Sequence, residues 1–252
     1  MTTVREQEQC RYALDIVQHP LRARMCGFGD KDRRPIDPPP VVKLVVHDHL
    51  GNIVHLNEVS ASRFVLHTGL CSANLTEDRN TVINPSSIPT PISVYNHASV
   101  VMSLNEPVKA RNLVGVTVSS AYHLRDENNE LGIFFIFHEL SVRTEGRFRL
   151  KFMLFELSMN EAEATPVLAE GYSDVFEVYS AKNFPGMTES TELSKALASQ
   201  GIKISIRKSI RVRNRPGNHH HSALYSGGGG GPNSKHQSDD EYEDNVDDDS
   251  HQ

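Results

Sequence analysis

Apolar and polar residues alternate with a two-residue period through much of the first two hundred positions, and that period predicts strands. Val41 to His49, VVKLVVHDH, is rich in β-branched residues, and the turn pair Gly51-Asn52 and the short apolar run Ile53 to Leu56 after it predict a hairpin. A strand near Arg63 to Leu70 is expected next. Leu113 to Leu124 reads as another strand, leading through RDENNE to Ile133 to Leu140. The unbroken apolar run IFFIF predicts a central strand buried on both faces. In GRFRLKFMLFEL, Phe148, Leu150, Phe152 and Leu154 share one face while Arg147, Arg149 and Lys151 alternate with them.

One helix is expected. TESTELSKALASQG offers Ser190 or Thr191 as a cap, Leu193 and Leu197 one turn apart, and Gly201 to stop it. Beyond it the two-residue period resumes, with Ile202, Ile204, Ile206, Ile210 and Val212 on one face and Lys203, Arg207, Arg211 and Arg213 on the other. Many strands and one late helix predict an all-β fold with a minor helix, a two-sheet sandwich closed by that helix. Thr76 to Pro91, rich in Asn, Pro, Ser and Thr, is its expected longest connection.

Charge divides the chain. Asn233 to Gln252 holds eight acidic residues and one lysine, a net −7 against −6 for all 252 residues, so residues 1–232 carry +1. The glycine run Gly227 to Gly231 and the acidic block cannot bury apolar surface. The expected division is a flexible stretch over residues 1–9, a folded domain over 10–216, and a disordered Gly-rich linker with an acidic tail over 217–252. Three cysteines without a CxxC pair suggest neither a disulfide framework nor a zinc cluster. No secretory h-region and no membrane-length apolar run is present, so no membrane association is expected.

Two cationic segments stand out. Arg22, Arg24, Lys31, Arg33 and Arg34 lie in RARMCGFGDKDRRPIDPPP, where glycines and prolines predict a loop. Such a loop can neutralise phosphates and read guanine edges, or it can be a solvated loop with local Arg–Asp pairs. Lys203, Arg207, Lys208, Arg211, Arg213 and Arg215 have no acidic neighbour between Gly201 and Gly217. Phosphate contact, nuclear import and protection of an edge strand all fit them. Enzymatic readings are weaker. His47-Asp48-His49 could give two metal ligands but lacks an identifiable third, and no GxSxG, HExxH or Walker A string occurs. A non-enzymatic protein without a cofactor or metal is expected.

Three long strings, IVQHPLRARMCGFGDKDRRPIDPPPVV, LSVRTEGRFRLKF and SDVFEVYSAKNFPGMTESTELSKALASQGIKISIRK, are similar to the velvet family of fungal regulators, across nearly all of residues 10–213. MCGFGDKDRRPI and SAKNFPGMTESTELS most resemble its velvet-like B branch. The resemblance implies an immunoglobulin-type β-sandwich like the Rel-homology domain. It further implies binding of double-stranded promoter DNA as a homodimer or as a heterodimer with another velvet protein, and action in the nucleus as well as presence in the cytoplasm. Development, sporulation and secondary metabolism are the implied processes. The family's DNA-contacting basic loop falls on Lys31, Arg33 and Arg34, with Arg22 and Arg24 upstream in the same string. Arg207, Lys208 and Arg211 match the family in position, while DNA contact by them rests on charge alone.

Overall fold

A computed structural model describes residues 10–29, 33–54, 61–88, 106–157 and 165–207. The first described element is β1 (Arg11–Gln18); the chain then passes His19 and Pro20 and changes sheet at β2 (Arg22–Arg24) before β3 (Val41–His47) returns beside β1. Next come β4 (Phe64–Ser72), β5 (Thr81–Ile83), β6 (Lys109–Arg111), β7 (Leu113–Val114), β8 (Val118–Ser120) and β9 (Tyr122–Arg125). β10 (Leu131–Ile136), β11 (Ser141–Val142), the long β12 (Gly146–Glu156), β13 (Ala169–Tyr172), β14 (Phe176–Tyr179) and α1 (Glu192–Ser199) follow.

Two sheets form the sandwich. The first has the order β1-β3-β10-β9; the second has β2-β14-β12-β4-β8, with β13 also on β12. All their pairings are antiparallel except β2 on β14. The two-residue period explains the packing: Val42, Leu44, Ile133 and Phe135 from the first sheet meet Leu66, Leu150, Phe152 and Leu154 from the second in one buried cluster. The opposite face of the first sheet presents Val41, Phe134 and Ile136 to Leu193 and Leu197 of α1, with Ile202 and Ile204 packed against them. β10 is thus buried on both faces, as its unbroken apolar run predicts. Each such side chain contributes roughly 1.5–3 kcal/mol of burial, so the helix is held by packing more than by its eight residues' own propensity.

The helix ends match their sequence signals. The Thr191 hydroxyl accepts the Ser194 N–H at 3.0 Å, and Gly201 takes the left-handed conformation with φ +94°. The turn after β3 also forms and the chain doubles back as far as Val54, while residues 55–56 of the expected second limb lie outside the described residues. Asp48 accepts the N–H groups of Leu50 and Asn52, and an isolated bridge joins His47 to Ile53.

Four expectations are corrected. Leu113 to Leu124 is three strands, because β7 pairs with β11, β8 with β4 and β9 with β10. Gly115 makes the first break: its φ is +105°, and a Cβ there would stand 1.8 Å from the Glu139 carbonyl oxygen. Thr76 to Pro91 contains β5, paired with β6, and a 3₁₀ turn over Pro85–Ser87 capped by Asn84. Arg22 to Arg24 is a strand, since β14 supplies a parallel ladder that composition cannot reveal. Finally, Ile202 to Arg207 joins no ladder. Its burial alternates as far as Ser205 and then reverses, leaving Ile206 exposed and Arg207 turned inward. The reason lies at Asp37.

Candidate nucleic-acid interface

Among the described residues, the first cationic segment is a strand, a bend at Phe28 and Gly29 and, from Arg33, a return limb. Ala23 and Val178, in register across β2 and β14, both point into the core. Arg22 and Arg24 therefore share the outer face, with Arg22 in register with Glu177 and Arg24 with Tyr179. Beyond β2 the backbone is laced to its neighbours. Met25 donates to the Tyr179 carbonyl at 2.8 Å, Cys26 to Val142 at 2.9 Å and Gly27 to Arg143 at 3.1 Å.

The return limb is fixed just as firmly. Ile36 donates to the Leu140 carbonyl at 2.7 Å, and the Ser141 hydroxyl donates to the carbonyl of Arg34 at 2.8 Å. Arg33 and Arg34 are exposed on this limb, directly before the buried run Ile36 to Pro40. An exposed arginine pair thus extends from a limb that is anchored through the Arg34 carbonyl and the Ile36 N–H. Such a base lowers the ordering cost of binding. Lys31 lies outside the described residues.

Arg143, which the sequence does not single out, completes the turn. Its Nη1 donates to the Gly27 carbonyl at 2.9 Å, its Nε donates to the Arg111 carbonyl at 2.9 Å, and its guanidinium lies 5.6 Å from the centre of the Phe28 ring. With 116 residues separating Arg143 from Gly27, no local pattern signals the contact.

The cationic face of β12 is engaged at two of its three residues. Arg149 donates to the carbonyls of Ala73 and Ser173, and Lys151 Nζ lies 2.8 Å from Glu170. The hydrogen bond that Lys151 donates to Glu170 raises the Lys151 pKa above its ordinary value. Arg147 is exposed and in register with Glu177. The wet, positive side expected near the start of this strand is thus present at Arg147, with Arg149 and Lys151 engaged further along.

The second cationic segment behaves differently from the first. Lys203 is exposed, whereas the Arg207 guanidinium meets the carboxylate of Asp37, which has no exposure at all. Arg207, expected to project outward with Lys203, thus turns toward the interior. A buried carboxylate requires a partner, and Arg207 is the one the fold supplies. Lys208 and Arg211 lie outside the described residues. Arg33, Lys203 and Arg207 nevertheless line one cleft of about 390 Å³, together with Met187, His138 and Glu139.

The histidine alternative gains nothing from the geometry. Asp48 is engaged in its own turn, where hydrogen bonds from Asn52 lower its pKa, and no set of three His, Cys, Asp or Glu residues among those described could hold a metal ion. No described helix is long and apolar enough to cross a membrane.

Comparison with known proteins gives the chain a family. The family model for the velvet factor matches residues 12–210. The velvet complex subunit RYP3 of Ajellomyces capsulatus is 33% identical over 292 aligned positions, covering 78% of each chain. Because that alignment is longer than the 252 residues here, the relative carries inserted residues. Velvet complex subunit 2 of Hypocrea jecorina is 32% identical, with 86% of this chain and 67% of the relative covered. Velvet complex subunit umv2 of Mycosarcoma maydis is 34% identical, with 82% of this chain and 62% of the relative covered. With the match extending from β1 to the segment after α1, the chain belongs to the velvet family.

Proposed function

We propose that this chain is a sequence-specific DNA-binding regulator of fungal development, sporulation and secondary metabolism, working as a velvet dimer with itself or with a second family member. The observation that carries the reading is the exposed Arg33–Arg34 pair on a return limb hydrogen-bonded through Arg34 and Ile36. Arginine's planar fork suits guanine O6 and N7 in the major groove as well as phosphate oxygens. Arg22 and Arg24 on the neighbouring strand, with Lys31, Lys208 and Arg211 by charge, add phosphate neutralisation. The Rel-like form of the sandwich and a nuclear and cytoplasmic distribution belong to the same proposal.

Selection of bound duplexes from a random pool by the purified full chain, alone and with a second velvet protein, tests this reading. The expected result is an enriched site whose affinity falls steeply with salt. No enrichment under either condition, or binding indifferent to salt, overturns it. A second reading has its own support, because the matched relatives are named as subunits of a velvet complex. In that reading the sandwich dimerises and delivers a DNA-binding partner to the nucleus. Enrichment only with the partner, unaffected by loss of Arg33 and Arg34, favours it.

A further inference from the structure

Among the described residues, Asp37 is the only charged side chain that is buried. It joins three parts of the chain. Its backbone N–H donates to the Arg22 carbonyl at 2.8 Å, and its carbonyl accepts the N–H groups of Leu21 and Arg22 at 3.0 and 2.9 Å. Those bonds tie the return limb, three residues past Arg34, to β2. Its carboxylate reaches the third part. Oδ2 accepts the Thr188 N–H at 2.5 Å and the Thr188 hydroxyl at 2.7 Å, while Oδ1 accepts Arg207 Nη2.

Arg207 is held from several sides. Its Nε donates to the Thr188 carbonyl at 3.0 Å and its backbone N–H to the Ser190 hydroxyl at 2.9 Å. The guanidinium fork is therefore directed at Asp37 and Thr188, although the residue belongs to a segment whose composition reads as phosphate-binding. Since Ile202 to Arg207 has no ladder, its attachment rests on Ile202 and Ile204 in the smaller core and on these polar contacts.

We propose that Asp37 and Arg207 form a clamp that positions Arg33 and Arg34 for DNA, and that Arg207 is a positioning residue rather than a phosphate contact. The proposal rests on the DNA-binding reading above. Physically, an unpaired carboxylate at Asp37 seeks water, and moving it displaces both limbs of the cationic segment because Asp37 is bonded to β2 as well. Removing both charges together removes that pressure and leaves the limbs in place.

The salt dependence of binding separates the two roles. Each phosphate contact adds about 0.9 to the slope of log affinity against log salt, whereas a positioning residue adds nothing. The experiment uses the full chain and a fluorescein-labelled duplex recovered by the selection described above, with melting curves to verify folding. Arg207→Gln alone is expected to weaken binding about tenfold or more in the folded fraction, its slope falling only as far as the displaced limbs lose phosphate contacts. Asp37→Asn with Arg207→Gln is expected to recover affinity to within about threefold of wild type, also with an unchanged slope. If Arg207→Gln alone fails to fold, the double variant still decides the matter. A double variant that remains as weak as the single one, a slope lower by about 0.9 in that double variant, or full affinity in a folded Arg207→Gln protein each overturns the clamp while leaving DNA binding intact. No salt-dependent binding by the wild-type chain overturns both.

Discussion

Arg33 and Arg207 line the same cleft, yet one is exposed and the other faces a buried carboxylate. Both come from runs that composition marks as cationic, and both lie within residues 12–210, which the velvet factor family model matches. The difference is made by Asp37, which lies in the first run and takes its partner from the second, 170 residues away. Local charge density therefore identifies segments able to meet phosphate, but it does not identify which cations lie exposed and which are drawn to a buried carboxylate. That depends on what each limb packs against.

The sharpest way to break this comparison is to remove the inward partner alone. Arg207→Met should destabilise the fold by about 3 kcal/mol, toward the low end for a broken buried pair because the arginine is partly exposed. Urea denaturation measures this, and a change below about 0.5 kcal/mol would place Arg207 among ordinary surface residues. The outward pair should behave oppositely. Arg33→Ala with Arg34→Ala should leave stability within about 0.5 kcal/mol and weaken DNA binding by about 1–3 kcal/mol, read by fluorescence anisotropy. Equal loss of stability in the two variants would erase the distinction.

Smaller effects refine the inward side. Thr191→Ala removes the cap of α1 and a hydroxyl that donates to Gln18 Oε1 at 2.5 Å, so it should cost about 1 kcal/mol without altering the salt slope of DNA binding. Gln18 in turn donates to the Pro39 carbonyl at 2.6 Å, which links that cap to the proline run after Asp37. The smallest expected effect is a pH dependence. Burial, and secondarily Arg111, lowers the His67 pKa, so the unfolded chain takes up a proton more readily than the native one. Its contribution is fully present above the unfolded value of about 6.5 and declines as pH falls below it. A His67→Asn variant should flatten this part of the stability profile, and an unaltered profile counts against the assignment.

Elements whose own side chains carry both period and burial were legible in advance. β3, β10 and β12 each present a run whose alternation or continuity states which faces are covered, and α1 carries its cap and stop signals within a few residues. Leu113 to Leu124 was harder to read. Its apolar content is that of one strand, but a single glycine beside the Glu139 carbonyl divides it among three partners. Arg143 and the Asp37–Arg207 pair were illegible for a related reason, since their meaning resides in contacts more than a hundred residues long.

By itself, the sequence determined an all-β body with one helix, membership of the velvet family and the location of the cationic runs. Hydrophobic periodicity, capping and long ordered strings are properties of neighbouring residues, so they are present before the chain folds. Only the tertiary structure decided that β2 joins β14, that Arg143 secures the turn at Gly27 and Phe28, and that Arg207 turns inward while Arg33 and Arg34 are exposed. A buried charge must be compensated wherever the fold brings a partner, and the side chain nearest in space need not be near in sequence.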